Sequence, residues 1–92
     1  MSYAALQTSR FSRSFKKLHA NQKPCVQEAV REILNNPISG EPKKGDLAGL
    51  YVWKFRCLGQ LWLLGYTVDS DVRLVYLEAL GPHENFYRSQ KT

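Results

Sequence analysis

A chain of 92 residues with an apolar fraction of 43% is long enough for one small domain, over residues 1–92, and too rich in core-forming side chains to be disordered. No apolar run approaches the roughly 20 residues of a membrane span, and the polar start Met1-Ser2-Tyr3 is not that of a signal peptide, so no membrane partner is expected. The formal charge of +5 is one-sided: Arg10, Arg13, Lys16, Lys17 and Lys23 all precede Glu28, the first acidic residue, which suits an anionic partner or, equally, a solvated helix face.

Tyr3 to Gln7 can pair as a short first strand. Ser9 can cap a helix in which Phe11, Phe15 and Leu18 share one face, with Arg10, Arg13 and Lys17 on the other. Pro24 suits the first turn of a second helix, whose apolar stripe is Val26, Ala29, Val30, Ile33 and Leu34. Pro37 bars its continuation beyond Asn36. With so short a connection, the two helices are expected to form an antiparallel hairpin. Residues 37–49 read as a loop, punctuated by Pro37, Gly40, Pro42, Gly45 and Gly49. Its Lys43 and Lys44 could grip phosphates or simply face water.

After Gly49 the period changes to two. Leu50 to Cys57, Gln60 to Val68 and Val72 to Leu80 read as three strands of an antiparallel meander, joined by turns at Leu58-Gly59 and Asp69-Ser70-Asp71. In the first, Tyr51, Trp53 and Phe55 point one way, and Val52, Lys54 and Arg56 the other. The second strand is apolar on both faces and belongs inside the sheet. Gly81-Pro82 ends the third, and His83 to about Gln90 can form a short terminal helix. Cys25 and Cys57 are too few and too scattered for a disulfide framework or a zinc site, and read as reduced thiols in a cytosolic protein.

Several chemistries are excluded at this stage. The glycines do not form a phosphate-cradling loop, His19 and His83 stand apart without carboxylates at metal-ligand spacing, and no serine sits in a nucleophile elbow. No metal and no cofactor are expected. What remains is a set of proton carriers and cations. His83 and Tyr87 share a face if their segment is helical, Arg88 follows, and Lys54 and Arg56 share a sheet face. Metal-free RNA cleavage needs a proton acceptor for the 2′-hydroxyl, positive charge on the phosphate and a donor for the leaving oxygen. Histidine titrates in the range for proton transfer, and tyrosine can donate a proton or stack on a base. Spacing alone leaves plainer roles standing: Lys54 and Arg56 as solvated positions, His83 as a turn cap, Phe86 or Tyr87 as an aromatic pin, Glu84 as a partner for Arg88.

The order of elements, the run Lys43-Lys44-Gly45-Asp46-Leu47-Ala48-Gly49-Leu50-Tyr51 with Lys54-Phe55-Arg56, and the close Gly81-Pro82-His83-Glu84-Asn85-Phe86-Tyr87-Arg88 together resemble the RelE/ParE superfamily of toxins from bacterial type II toxin–antitoxin systems. The resemblance spans nearly the whole chain. It implies an α+β fold: an N-terminal strand and helical hairpin packed on a twisted antiparallel sheet of about four strands, with a short C-terminal helix.

It also implies a cytoplasmic bacterial toxin silenced by a cognate antitoxin, the pair often binding operator DNA. The RelE branch cuts mRNA in the ribosomal A site without metal; the ParE branch poisons DNA gyrase and cuts nothing. Carried over by position, Lys54 matches a sheet lysine near the scissile phosphate, with Arg56 on the same face. Tyr87 matches a catalytic or base-stacking tyrosine, and His83 a proton-transfer histidine. Lys43, Lys44, Arg88 and the Arg10, Arg13 and Lys17 face would meet RNA. The chain departs from RelE where Val52 replaces a basic residue, where Gln60-Leu61-Trp62-Leu63 lacks an arginine, where a C-terminal arginine has no clear match, and in the tail Ser89-Gln90-Lys91-Thr92. The reading that follows is a ribosome-dependent mRNA endonuclease, with a non-enzymatic gyrase inhibitor as the alternative.

Overall fold

The computed structural model describes residues 3–84 and 86. In chain order they form β1 (Ala4–Gln7), α1 (Ser9–Lys16), α2 (Lys23–Asn35), β2 (Glu41–Pro42), β3 (Tyr51–Cys57), β4 (Gln60–Asp69) and β5 (Leu74–Pro82), with single 3-10 turns at Pro37–Ser39 and Gly45–Leu47. The three long strands are the expected meander. β4, apolar on both sides, lies between its two neighbours in a five-stranded sheet ordered β1-β5-β4-β3-β2. No helix among the described residues is long and apolar enough to cross a membrane.

The architecture is the expected α+β one, but the sheet is larger than about four strands and is mixed rather than antiparallel. β1 pairs parallel to β5, from Ala4 opposite Leu74 to Gln7 opposite Leu77. Parallel neighbours cannot be joined by a tight turn, and here nearly the whole chain forms the connection. The fifth strand comes from the segment read as a loop: Glu41 and Pro42 pair with Val52 and Tyr51. Proline is tolerated there because β2 is an edge strand.

Local chemistry sets the helix ends. The cap of α1 is Thr8 rather than Ser9: its hydroxyl accepts from the Phe11 amide at 3.2 Å. The same hydroxyl donates toward the Leu77 and Glu78 carbonyls, at 3.0 and 3.2 Å. One side chain thus starts the helix and ties it to β5. α1 ends at Lys16, so Leu18 packs from beyond the helix. The Lys23 ammonium lies 5.6 Å from the centre of the Phe15 ring and links the start of α2 to α1. Pro24 stands in the first turn of α2, as expected.

Burial divides the core in two. Phe11, Val26, Ala29 and Ile33 from the helices meet Trp62, Leu64, Tyr66, Val75 and Leu77 on one sheet face. On the other face Leu50, Val52, Leu63, Ala79 and Phe86 form a smaller cluster, with Leu47 against it. Phe86 is therefore the aromatic pin of the terminal segment, where His83, Glu84 and Phe86 are helical. A Cβ on Gly65 would come within 3.0 Å of the Phe86 ring, so glycine at the centre of β4 makes room for that pin. The remainder of the expected terminal helix, including Tyr87 and Arg88, lies outside the described residues.

Two features correct the sequence reading. Cys25 and Cys57 are joined as a disulfide, with Cα atoms 5.6 Å apart, instead of standing as separate thiols. The separation of 32 residues hid this, because only the packing of α2 on the end of β3 brings the two together. The last strand begins at Leu74 rather than Val72, which is 58% exposed in the preceding turn. The turn between β3 and β4 holds Leu58 at φ 53° and Gly59 at φ 81°. Two successive positive φ angles match the twist of a hairpin, but a leucine adopts the first at a steric cost.

Closing a loop of this size restricts the unfolded chain by about 3–4 kcal/mol in the chain-entropy account. Reduction, or the C25S variant, should therefore lower the melting temperature by roughly 15–25 °C, measured by circular dichroism with and without a thiol reductant. The opposite effect is expected at the hairpin. L58N places a residue suited to the left-handed region and should raise stability by about 1 kcal/mol, or roughly 4–8 °C. A lower melting temperature for L58N would show that the exposed leucine contributes more than its backbone costs.

Candidate nucleic-acid interface

Alternation along β3 determines where its cations go. Tyr51, Trp53 and Phe55 pack against the core beneath the helices, so Val52, Lys54 and Arg56 face the other way. Val52 is 1% exposed under the smaller cluster, whereas Lys54 and Arg56 are exposed beyond it. No salt bridge among the described residues involves Arg56.

The strand ladder then brings His83 to the same end of the sheet. Arg56 lies opposite Leu61, and Lys54 opposite Leu63. Leu63 in turn lies opposite Gly81, and Trp62 opposite Pro82, so β5 delivers the chain to the start of β4. There Gln60, Leu61, His83 and Glu84 line a cleft of about 220 Å³. Leu61 belongs to both neighbourhoods: it faces Arg56 across the ladder and lines the His83 cleft.

The loop lysines divide. The Lys43 amide donates to the Leu50 carbonyl at 2.9 Å. Its ammonium lies 3.2 Å from Glu41 Oε1, and the same oxygen is 3.8 Å from Lys54 Nζ. Lys43 therefore joins Lys54 on one side of the sheet. Lys44 is exposed just ahead of the 3-10 turn at Gly45–Leu47. The expected basic face of α1 is not brought to Lys54. Arg13 and Lys17 are exposed on the helical layer, across the sheet from Lys54. Arg10 turns elsewhere: it lines a cleft of about 300 Å³ with Thr8, Asp46, Thr67 and Glu78 among others. Tyr87 and Arg88 lie outside the described residues.

Sequence reasoning missed Glu41, Gln60 and Leu61. Glu41 carried a signal in retrospect, since it precedes Lys43 by two residues, the spacing that shares a face in extended chain. Gln60 and Leu61 carried none, because the register of β4 against β5 alone brings them to His83.

The backbone around Glu41 is held from beneath. Tyr66, fully buried in β4, donates its hydroxyl to the Pro37 carbonyl at 2.7 Å and accepts from the Gly40 amide at 3.0 Å. Burial pushes the Tyr66 phenol above its ordinary range; the Gly40 amide opposes the shift and Tyr51 adds to it. The hydroxyl thus stays a neutral donor. A Cβ at position 40 would stand 2.4 Å from that oxygen, so only glycine allows the approach.

Comparison with known proteins gives the family and agrees with the fold. A family model described as "ParE-like toxin of type II bacterial toxin-antitoxin system" matches residues 5–91. The chain belongs to this family of bacterial toxins. It is a toxin of the RelE/ParE superfamily, from a type II toxin–antitoxin system. No curated protein matches the sequence. Among solved structures, a chain of the RelBE2 toxin–antitoxin complex of Mycobacterium tuberculosis superposes with a TM-score of 0.78 at 22% identity, covering 90% of this chain and 100% of its own. A mutant of the Escherichia coli toxin RelE in the free state gives 0.77 at 20% identity, over 98% and 93% of the two chains. The archaeal RelE–RelB complex of Pyrococcus horikoshii gives 0.62 at 17%, over 89% and 96%. At these identities the likeness is one of fold.

The Tyr66 anchor of this ParE-like toxin can be tested directly. Y66F leaves the Pro37 carbonyl and the Gly40 amide without their partner inside the core, a loss of about 1–3 kcal/mol. Urea unfolding should show that loss, and the Gly40 amide should exchange with solvent faster than in the parent chain.

Proposed function

We propose that this toxin is a ribosome-dependent, metal-independent mRNA endonuclease. The observation that carries the reading is the gathering of Lys54, Arg56 and the His83 cleft at one open end of the sheet, beside Lys43. His83 transfers the proton, and Lys54 and Arg56 neutralise charge on the phosphate as it becomes pentavalent. Tyr87 stacks on a base or assists the proton transfer. Lys43 contacts RNA beside Lys54, and Lys44 and Arg88 are further contacts to RNA in this reading. Arg13, Lys17 and Arg10 would meet ribosomal RNA away from the reacting phosphate, which suits a site that borrows its substrate positioning from the ribosome.

The toxin–antitoxin complexes among the structural neighbours support a cognate antitoxin as its partner. In this reading the toxin works in the bacterial cytoplasm, and operator DNA is bound only by the pair. The ParE-like family description keeps one competitor in view, a gyrase inhibitor that cuts nothing, and a single induction separates the two. With the toxin induced, primer extension on abundant transcripts should reveal new 5′ ends within reading frames while plasmid supercoiling stays normal. Intact transcripts with relaxed or broken DNA would end the nuclease reading. On purified ribosomes carrying mRNA, H83A and K54A should each lower the cleavage rate by roughly 100-fold or more, with melting temperatures close to the parent chain. An H83A protein that cuts at the parent rate would remove His83 from the mechanism.

A further inference from the structure

Glu41 is an acidic residue placed among the cations of a site meant for an anion. Its presence there follows from register. Glu41 lies opposite Val52 in the β2–β3 ladder, so its side chain is on the face of Lys54, one diagonal step away. A pair with Lys43 alone would be an ordinary contact along one edge strand. Here one oxygen, Oε1, reaches both ammonium groups, at 3.2 Å from Lys43 and 3.8 Å from Lys54. The oxygen lies between the two ammonium groups, hydrogen-bonded to Lys43 and in looser ionic contact with Lys54, a position that a non-bridging phosphate oxygen can also take.

The two ends of this contact differ in freedom. The backbone on either side of Glu41 is fixed, by the Gly40 amide on Tyr66 and the Lys43 amide on Leu50. The carboxylate and the Lys54 side chain are each 54% exposed, so water reaches the pair, the contact is weak, and an anion brought in by other contacts can replace it. A phosphodiester of RNA carries a full charge and two such oxygens.

Resting on the nuclease reading above, we infer that Glu41 is the resting counter-anion of the site: it holds Lys43 and Lys54 together in the free toxin and gives way to a phosphate of the bound RNA. Glu41 is in this sense a positioning residue. It keeps the Lys43 and Lys54 ammonium groups gathered where the phosphate will lie, and it weakens binding by competing for them.

The test uses the full chain and the isosteric variant E41Q, with a short fluorescein-labelled single-stranded RNA as probe. Fluorescence anisotropy at low salt should show E41Q binding about threefold to tenfold more tightly than the parent. The plot of log affinity against log salt should be steeper by about 0.7, the release of one further counterion from single-stranded RNA. In the K54Q background the gain from E41Q should shrink, because one of its two lysines is gone. On mRNA-programmed ribosomes, KM should fall with E41Q by the same factor as the dissociation constant. Equal affinity and equal salt slope for parent and E41Q would overturn the inference and leave the nuclease reading standing. A collapse of kcat with unchanged KM would overturn it too, by assigning the carboxylate to the chemistry. RNA bound by neither chain, with transcripts left intact in the cell, would overturn both readings.

Discussion

Everything in this fold depends on β4 being buried on both faces. Leu63 and Leu64 are adjacent, point to opposite sides of the sheet, and are both fully buried. Each face therefore needs a cover. The helices cover the first face. On the second, among the described residues, Leu47, Leu50 and Phe86 close over Val52, Leu63 and Ala79. Among the described residues, that cover stops short of Lys54 and Arg56, which are exposed. Lys54 and Arg56 stand where it ends, so the candidate site is the margin of the second core cluster rather than a separate construction.

The same constraint explains how distant segments come to serve one place. Phe86 packs into the second cluster, and His83 precedes it by three residues in the same helical turn, so anchoring the aromatic also orients the histidine's segment. Tyr66 emerges on the opposite face of β4 and ties down Pro37 and Gly40, just ahead of Glu41. One central strand thus steadies His83 through one face and β2 through the other. The disulfide adds a third tie at the end of β3, one residue from Arg56, and holds the start of α2 against it.

Much of this was legible in the residues. Periodicities of 3.6 and 2 mark the helices and the three long strands, the doubly apolar β4 announces its central place, and the alternation of β3 already separates Lys54 and Arg56 from the aromatic residues. What was hidden has a common physical character: it is decided by register and by pairing across long sequence distances. Nothing local in Ala4–Gln7 says that it will lie parallel to Leu74–Leu77. Two residues, Glu41 and Pro42, are too few to show a period. The choice of Thr8 over Ser9 as cap depends on the carbonyls of β5, which only the folded chain brings near. The union of Cys25 with Cys57, and the nearness of Glu41 to Lys54, follow from the same kind of information.

Val52 shows how these levels meet at the site. By resemblance to the RNA-cutting toxins, a basic residue would stand two positions before Lys54. Here that position is 1% exposed and packed with Leu63 and Phe86. A cation there would lose its water inside an apolar cluster, at a cost of several kcal/mol. It would also push aside the aromatic that holds the His83 segment. The chain cannot keep both a third cation on β3, at position 52, and this anchor for the histidine. Its neighbouring edge strand resolves the conflict: Lys43, from β2's continuation, reaches the same carboxylate oxygen as Lys54. A second ammonium group is thus gathered beside Lys54 from across the sheet rather than along the strand. The shortage of cations read from β3 and β4 alone is therefore partly one of sequence position, not of charge in space.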